Sequence, residues 1–455
     1  MAENAIRKRM SERLASREKL GPCLLLAAVL ALSFLVFEPG ISMSDTLARW
    51  AGAYTIVGKL EIPWGLELWL APTMTWFMVP FAATEFAGPY FHAAQVFCLL
   101  LGGISWIYFT SSARPWWVAV PFMIPLVFAY TSFIVPDVWT LTAILGIVGS
   151  LYALERSARV LVIFVFPLSC VILFGFRQNS LVLLPFVWLF IAKLQNGSKA
   201  LKFALAATTL AALGVINWVP STIGFQGATS SAAAPAWELL GAISVAREIG
   251  MELDPAVTFD GIADTTKAVE EHSFVTIDTV LWGENAAIPT TAIMAHADEI
   301  KSRWFRLILR HPMLYLRTKV RIYKCMLGLC QGYLQTRIAC VKPWPVLQDN
   351  LDTCVPDSNA ANVLNKLNRI QGPAQAVLLP IFWLPLSIVV FFFAWRGYGP
   401  HDRMVICLAT AYLGSFFLLN QAASFRYLLP TYVVFTAYQI RFLLELPSRF
   451  RTRHS

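Results

Sequence analysis

Apolar runs of near-membrane length recur along the chain, separated by short polar turns. A helix needs roughly 17–25 mostly apolar residues to cross the hydrocarbon core. Runs of this kind fall at 20–37, 90–109, 116–134, 138–154, 159–174, 180–194, 203–219, 375–395, 404–420 and 428–445. The shorter ones require tilt or local thinning of the bilayer. The pattern predicts an all-α polytopic membrane protein with about ten transmembrane helices. The stretch 66–84 is also apolar, but it contains Glu67 and is broken by Pro72 and Pro80. It is expected to form a surface or re-entrant helix pair.

The first run follows Arg7, Lys8, Arg9, Arg13, Arg17 and Lys19 and passes into Glu38-Pro39-Gly40 without a small-residue cleavage pattern. A signal-peptide core has only about 7–15 apolar residues. The run therefore reads as a first span behind a cytoplasmic tail. Of the 455 residues, 57% are hydrophobic and 14% charged, where a soluble domain carries roughly 25% charged residues. That balance excludes a disordered chain, a secreted disulfide scaffold and an ordinary soluble enzyme. The net charge of +9 is a topology signal here and does not indicate nucleic acid as a partner.

Charge sidedness sets the orientation. With the N-tail inside, the short cytoplasmic segments carry eighteen Lys and Arg residues, and the short outer segments carry four: Arg49, Lys59, Arg177 and Arg426. Making 66–84 a full span would invert this asymmetry. The expectation is N-in and C-in, in a bacterial inner (plasma) membrane. Three regions follow: a membrane module at 1–219 with a first outer loop at 38–89, a large outer loop at 220–374, and C-terminal helices with a basic tail at 375–455. The large loop reads as mostly helical. Segment 237–251 has helical spacing, and 296–329 alternates basic and apolar residues in the manner of an amphipathic helix pair on the membrane surface, hinged at His311-Pro312.

Eight cysteines are too few for a disulfide framework. Cys340 and Cys354, 14 residues apart in the outer loop among Pro343, Pro345 and Pro356, are expected to pair. Cys325 and Cys330 are a poorer pair, because on one helix they would not face each other. Cys23, Cys98, Cys170 and Cys407 lie in spans and are expected to be free thiols.

The expected topology puts Asp45, Asp137, Arg177-Gln178-Asn179 and Arg426 on one membrane face. Ionisable groups near membrane depth are costly, and so they are functional candidates. Two carboxylates and two guanidiniums could combine a general base with an anion site. Plainer readings stand beside this. Asp45 and Asp137 could each cap a helix, and Arg177 and Arg426 could anchor in lipid headgroups. Glu38 and Glu61 read as solvated loop charges. His92 and His272 have no partner at metal-ligand spacing, and the chain has no HExxH, paired CxxC or phosphate-binding glycine loop.

Several short motifs carry a resemblance. Phe37-Glu38-Pro39-Gly40-Ile41-Ser42-Met43-Ser44-Asp45 resembles the first outer loop of a family of polytopic GT-C class glycosyltransferases. Asp137 is similar to the second acidic position of that family. Phe176-Arg177-Gln178-Asn179 resembles its Arg-x-Asn turn, and Phe425-Arg426-Tyr427-Leu428-Leu429-Pro430 its terminal Arg-Tyr-Leu-x-Pro motif. His311-Pro312-x-x-Tyr315-Leu316 resembles a helix start in its outer loop. The chain has Ile62-Pro63 where many relatives carry His-Pro, and a single Asp45 in place of an acidic pair.

The resemblance implies a GT-C-like fold and transfer of a hexosyl or pentosyl group from a polyprenyl-phosphate sugar to a glycan or lipid acceptor of the cell envelope. It places Asp45 as base, Asp137 as the orienter of the acceptor or of an arginine, and Arg177, Asn179, Arg426 and Tyr427 at the donor phosphate. The 296–329 segment would guide the lipid. No cofactor is named, and a divalent cation finds no acidic pair motif to hold it. Two other classes fit the same outer-face arginines: a transporter or flippase for a lipid-linked anion, and an O-antigen ligase or polymerase.

Overall fold

The computed structural model describes residues 2–61, 71–112, 115–156, 159–194, 198–222, 230–276, Val280, 286–330, 339–343, 345–348, 351–356, 358–418 and 424–451. Among them the protein is all-helical, with no strand and an isolated parallel bridge between Ile41 and Phe133. Five segments are long and apolar enough to cross a membrane: Glu18–Phe37, Ala87–Phe109, Pro136–Glu155, Lys199–Trp218 and Pro380–Gly397. Val162–Phe176 and Asn179–Lys193 are shorter apolar helices. This is the make-up of a helical membrane protein.

The first half contains α1 (Ala2–Phe37), α2 (Ser44–Ile56), α3 (Pro72–Ala82), α4 (Ala87–Phe109), α5 (Pro125–Thr131), α6 (Pro136–Glu155), α7 (Arg159–Phe176), α8 (Leu184–Lys193) and α9 (Lys199–Thr222). The helix α6 is the centre of the bundle and is buried along most of its length. Small residues let its neighbours come close. A Cβ added at Gly146 would press on Ser169 Oγ of α7, so glycine lets the two helices approach without moving that hydroxyl. Of the helix pair expected at 66–84, the second member is α3, 11 residues long; residues 62–70, with Glu67, Ile62 and Pro63, lie outside the described residues.

One expected span is broken. The stretch 116–134 is two 3₁₀ turns, Pro115–Val118 and Val120–Met123, followed by α5. Pro115, Pro121 and Pro125 each remove a backbone donor and interrupt a continuous α-helix. The segment still runs beside α1 in the same direction. Gly21 packs against the Trp116 ring, and Ser33 Oγ lies 2.7 Å from both Thr131 Oγ1 and Ser132 Oγ.

The loop region folds as α10 (Ser230–Glu248), α11 (Thr265–Glu270), α12 (Thr290–Ala295), α13 (Ala297–Arg310) and α14 (Pro312–Met326). It has its own apolar core, including Trp237, Leu240, Phe259, Ile288 and Leu307. Inside that core Glu238 pairs with Lys319, and its other oxygen accepts from Tyr315 Oη (2.8 Å) and Trp304 Nε1 (2.9 Å). A buried charge is tolerated when it is paired and hydrogen-bonded in this way.

The second half contains α15 (Asn359–Leu378), α16 (Pro380–Ala394), α17 (Pro400–Leu418) and α18 (Phe425–Arg451). The helix α15 starts inside the stretch expected to be loop, and Pro380 separates it from α16. The loop region is tied to α17: Lys319 Nζ donates to the Leu418 carbonyl (2.6 Å) and Tyr323 Oη to the Leu413 carbonyl (3.3 Å). At the other end of the bundle, Asp402 on α17 accepts from Ser111, Gly399, Tyr438 and Arg441. That buried, well-satisfied carboxylate pins α17 and α18 to the end of α4.

Two disulfides are present, Cys340–Cys354 and Cys325–Cys330. The second corrects the sequence expectation. The helix α14 ends at Met326, and Gly328 at φ +78° turns the chain back so that Cys330 returns to Cys325. Glycine adopts that left-handed conformation without steric cost. Cys23, Cys98, Cys170 and Cys407 are free.

Candidate functional site

The site begins with two chain segments that hold each other. Ile41 N donates to the Ser132 carbonyl (3.0 Å) and Ile134 N to the Ile41 carbonyl (2.9 Å). Thr46 Oγ1 adds a bond to the Ile134 carbonyl (2.6 Å). These contacts fasten the turn after α1 to the start of α6, so Asp45 on α2 and Asp137 on α6 arrive at the same end of the bundle. From below, Cys354 N and Thr353 Oγ1 both donate to the Gly40 carbonyl.

Neither aspartate acts as a helix cap. The helix α2 starts at Ser44 with Met43 as its N-cap, and α6 starts at Pro136 with Val135 as its N-cap; neither cap residue makes a side-chain capping bond to its helix. Both carboxylates instead meet arginines. Arg177 grips Asp137 with Nε at 3.1 Å and Nη2 at 2.6 and 2.8 Å. Tyr412 Oη donates to the same carboxylate at 3.0 Å. Arg426 Nη2 lies 2.8 Å from Asp45 Oδ2 and also donates to Tyr427 Oη at 3.0 Å. Arg426 Nη1 contacts Met43 Sδ. Since both arginines are largely buried and paired, the headgroup-anchor reading does not describe them.

Tyr427 joins the two pairs. The Arg177 guanidinium lies 4.3 Å from its ring centroid and that of Arg426 4.8 Å. Phe416 stacks on the ring from α17 at 5.4 Å. Two cations over one aromatic ring are held by its quadrupole and by the adjacent carboxylates. Asn179 Nδ2 donates to Ser415 Oγ at 2.9 Å, which fixes the Arg177 turn against α17. The side chain of Gln178 lies outside the described residues.

A third arginine belongs to the cluster and was not singled out from sequence. Arg49 is four residues after Asp45 on α2, buried, and donates from Nη1 to the Ala71 carbonyl (2.7 Å). The i, i+4 spacing was the available signal. Burial lowers the pKa of Arg49 against the opposing pull of Asp45, and Arg177 and Arg426 lower it further, to about 9. It stays protonated at neutral pH. Burial pushes the Asp45 carboxyl up, but Arg426, Arg49 and Arg177 together hold it below the usual carboxylate value. Tyr412 and Met43 are further members that lay hidden in apolar or loop context.

Among the described residues, the electrostatic balance is three guanidiniums against two carboxylates. Asp137 is fully buried and saturated with donors, whereas the Asp45 side chain is 39% exposed. Among the described residues, Nε of Arg49 and Nε of Arg426 are buried without an acceptor. Orphaned buried donors of this kind are uncommon, and beside an excess positive charge they suit an anion. Among the described residues no three His, Cys, Asp or Glu side chains converge as a metal site would require.

No family model, no curated protein and no solved structure matches this chain.

Proposed function

We propose that the protein is a membrane glycosyltransferase that moves a sugar from a polyprenyl-phosphate donor to a glycan or lipid acceptor of the cell envelope. The observation that carries this reading is the buried one-charge excess of guanidinium among the described residues, with the Nε donors of Arg49 and Arg426 unpaired among them, next to a single open carboxylate. Asp45 removes the proton from an acceptor hydroxyl as that oxygen attacks the anomeric carbon. The bond from the anomeric carbon to the phosphate oxygen breaks, and its electron pair leaves with the lipid phosphate. The diester becomes a monoester and gains one negative charge. Arg177 and Arg426 face that charge in a site where stabilisation is strong because the surroundings are buried. Asp137 is the positioning residue for Arg177, with Tyr412 holding its other side. Tyr427 and Asn179 keep the two arginines and their turn in place.

The fold reading that goes with this is a GT-C-like bundle of about ten crossings in a bacterial inner membrane. Both termini are cytoplasmic, and the site and loop domain are on the outer face. Support for the crossings beyond the five long helices comes from the paired contacts at opposite ends: Asp402 and Ser111 at one, Asp45 and Arg426 at the other. The test is to incubate the purified full-length chain with a polyprenyl-phosphate sugar and follow release of polyprenyl phosphate. Release or transfer supports the enzyme. Tight binding without turnover would replace it with a carrier for lipid-linked anions.

A further inference from the structure

Away from this cluster, the loop domain has a groove of about 420 Å³ between α10 and α14. Its floor is Val245, Ile249, Leu316 and Val320; all but Val245 are large apolar side chains left exposed. Its rim is Arg317, Arg321 and Lys324, with Glu248 as the carboxylate at the edge. Glu248 is engaged by Arg321 Nη1 at 2.7 Å, and the Arg321 guanidinium also lies 4.9 Å from the Phe274 ring centroid. Arg317 and Lys324 pair with no carboxylate among the described residues, so the rim keeps an excess of two positive charges.

The depth of the groove follows from what α14 touches. Tyr323 Oη reaches the Leu413 carbonyl, and Lys319 the Leu418 carbonyl at the end of α17. Five residues of helix span about 7.5 Å, so α14 lies across the end of α17 and overlaps it by more than a turn. With α17 a membrane crossing, as in the proposed topology, Leu316 and Val320 stand at the boundary between hydrocarbon and headgroups. At that boundary an apolar floor takes an acyl chain, and long basic side chains reach a phosphate.

We infer that the groove between α10 and α14 binds an anionic two-chain phospholipid of the surrounding bilayer, its phosphate between Arg317 and Lys324 and an acyl chain along Leu316 and Val320. Charge complementarity selects this occupant. A zwitterionic headgroup brings its own cation toward two unpaired cations, and an anionic headgroup does not. The inference rests on the proposed topology, which makes α17 a crossing, and is independent of sugar transfer.

The test is native mass spectrometry of the full-length chain titrated with phosphatidylglycerol and, separately, with phosphatidylcholine. Each basic residue near an anionic lipid surface contributes roughly fivefold to binding. The double variant Arg317→Gln/Lys324→Gln should therefore bind phosphatidylglycerol about thirtyfold more weakly. The charge-matched control Arg247→Gln, exposed on α10 outside the groove, should bind like the wild type. The charge-conserving Arg317→Lys/Lys324→Arg should keep most of the affinity, which separates lost charge from lost folding. Wild-type affinity in the double Gln variant would overturn the inference, as would equal binding of the two lipids. Displacement of phosphatidylglycerol by a polyprenyl phosphate at equimolar concentration would also overturn it, because the groove would then belong to the donor lipid.

Discussion

Replacing Asp137 by Asn removes the negative charge that holds Arg177 in place. The carboxylate accepts three contacts from Arg177 and one from Tyr412, and none of its surface is exposed. Breaking a buried pair by removing one partner costs about 3–5 kcal/mol, because the other charge is left uncompensated. The Arg177 side chain is 17% exposed, so partial solvation puts the expected loss near the lower end, about 3 kcal/mol. Arg177→Gln should cost a similar amount. The double variant should cost little more than either single, giving a coupling of between about 2 and 3 kcal/mol. Reversible unfolding in mixed detergent micelles, followed by tryptophan fluorescence, measures all four states. Additivity within about 0.5 kcal/mol would mean that the two side chains do not act as a unit, and the positioning role given to Asp137 would be wrong.

Other outcomes follow from particular contacts. Because the Asp45 carboxyl is held below its ordinary value of about 3.9, the stability from its ionised form is present above that pH and is lost as pH falls through the lower folded value. As a base Asp45 is ionised at neutral pH, so the acid limb of turnover should lie below about pH 4; a limb centred near pH 6 that disappears in Asp45→Asn would contradict this. Closing the Cys340–Cys354 loop should stabilise by roughly 3 kcal/mol, which denaturation of Cys340→Ser/Cys354→Ser against wild type measures. An unchanged midpoint would show that the disulfide does not support the bonds from Thr353 and Cys354 to the Gly40 carbonyl. A Cβ at Gly88 would sit 2.1 Å from the Asp352 backbone carbonyl, so Gly88→Ala should destabilise by about 1–3 kcal/mol; no loss would show that the 351–356 strap does not press on α4. Reporter fusions at Gly227 and Ser455 should report opposite sides of the membrane; the same side for both would end the proposed topology.

The long helices were legible because their signal is a length of apolar sequence, and α1, α4, α6 and α9 each carry it whole, while the run at 375–395 is split at Pro380 between α15 and α16. The broken 116–134 segment was less so, because hydropathy averages over Pro115, Pro121 and Pro125 while the backbone does not. Charge sidedness drew attention to Asp45, Asp137, Arg177 and Arg426. The structure brings them into two ion pairs at one end of the bundle. What sequence could not supply was the pairing itself. Whether an aspartate at the start of a helix caps it or crosses to an arginine depends on side-chain direction, and for Asp45 and Asp137 the arginine wins. Arg49 reads as an ordinary loop charge until α2 turns it inward below Asp45. Tyr412 sits in the middle of an apolar helix, where only packing shows that its hydroxyl meets Asp137. Cys325 and Cys330 are unreadable for a related reason, since their pairing depends on the chain reversal at Gly328 and not on the helix that precedes it.

The central claim is that Asp45 is the base beside a cationic phosphate site, and the direct measurement is the transfer rate of purified Asp45→Asn enzyme with a polyprenyl-phosphate sugar. Asparagine preserves size and can still accept from Arg426, so expression and helix content should be unchanged. An amide cannot take the acceptor proton. General base catalysis is worth roughly 10²–10⁴-fold, so the rate should fall by at least about a hundredfold while Arg426→Lys mainly weakens donor binding through loss of the planar fork. A near wild-type rate in folded Asp45→Asn enzyme would contradict the account and leave Asp45 as a structural partner of Arg426.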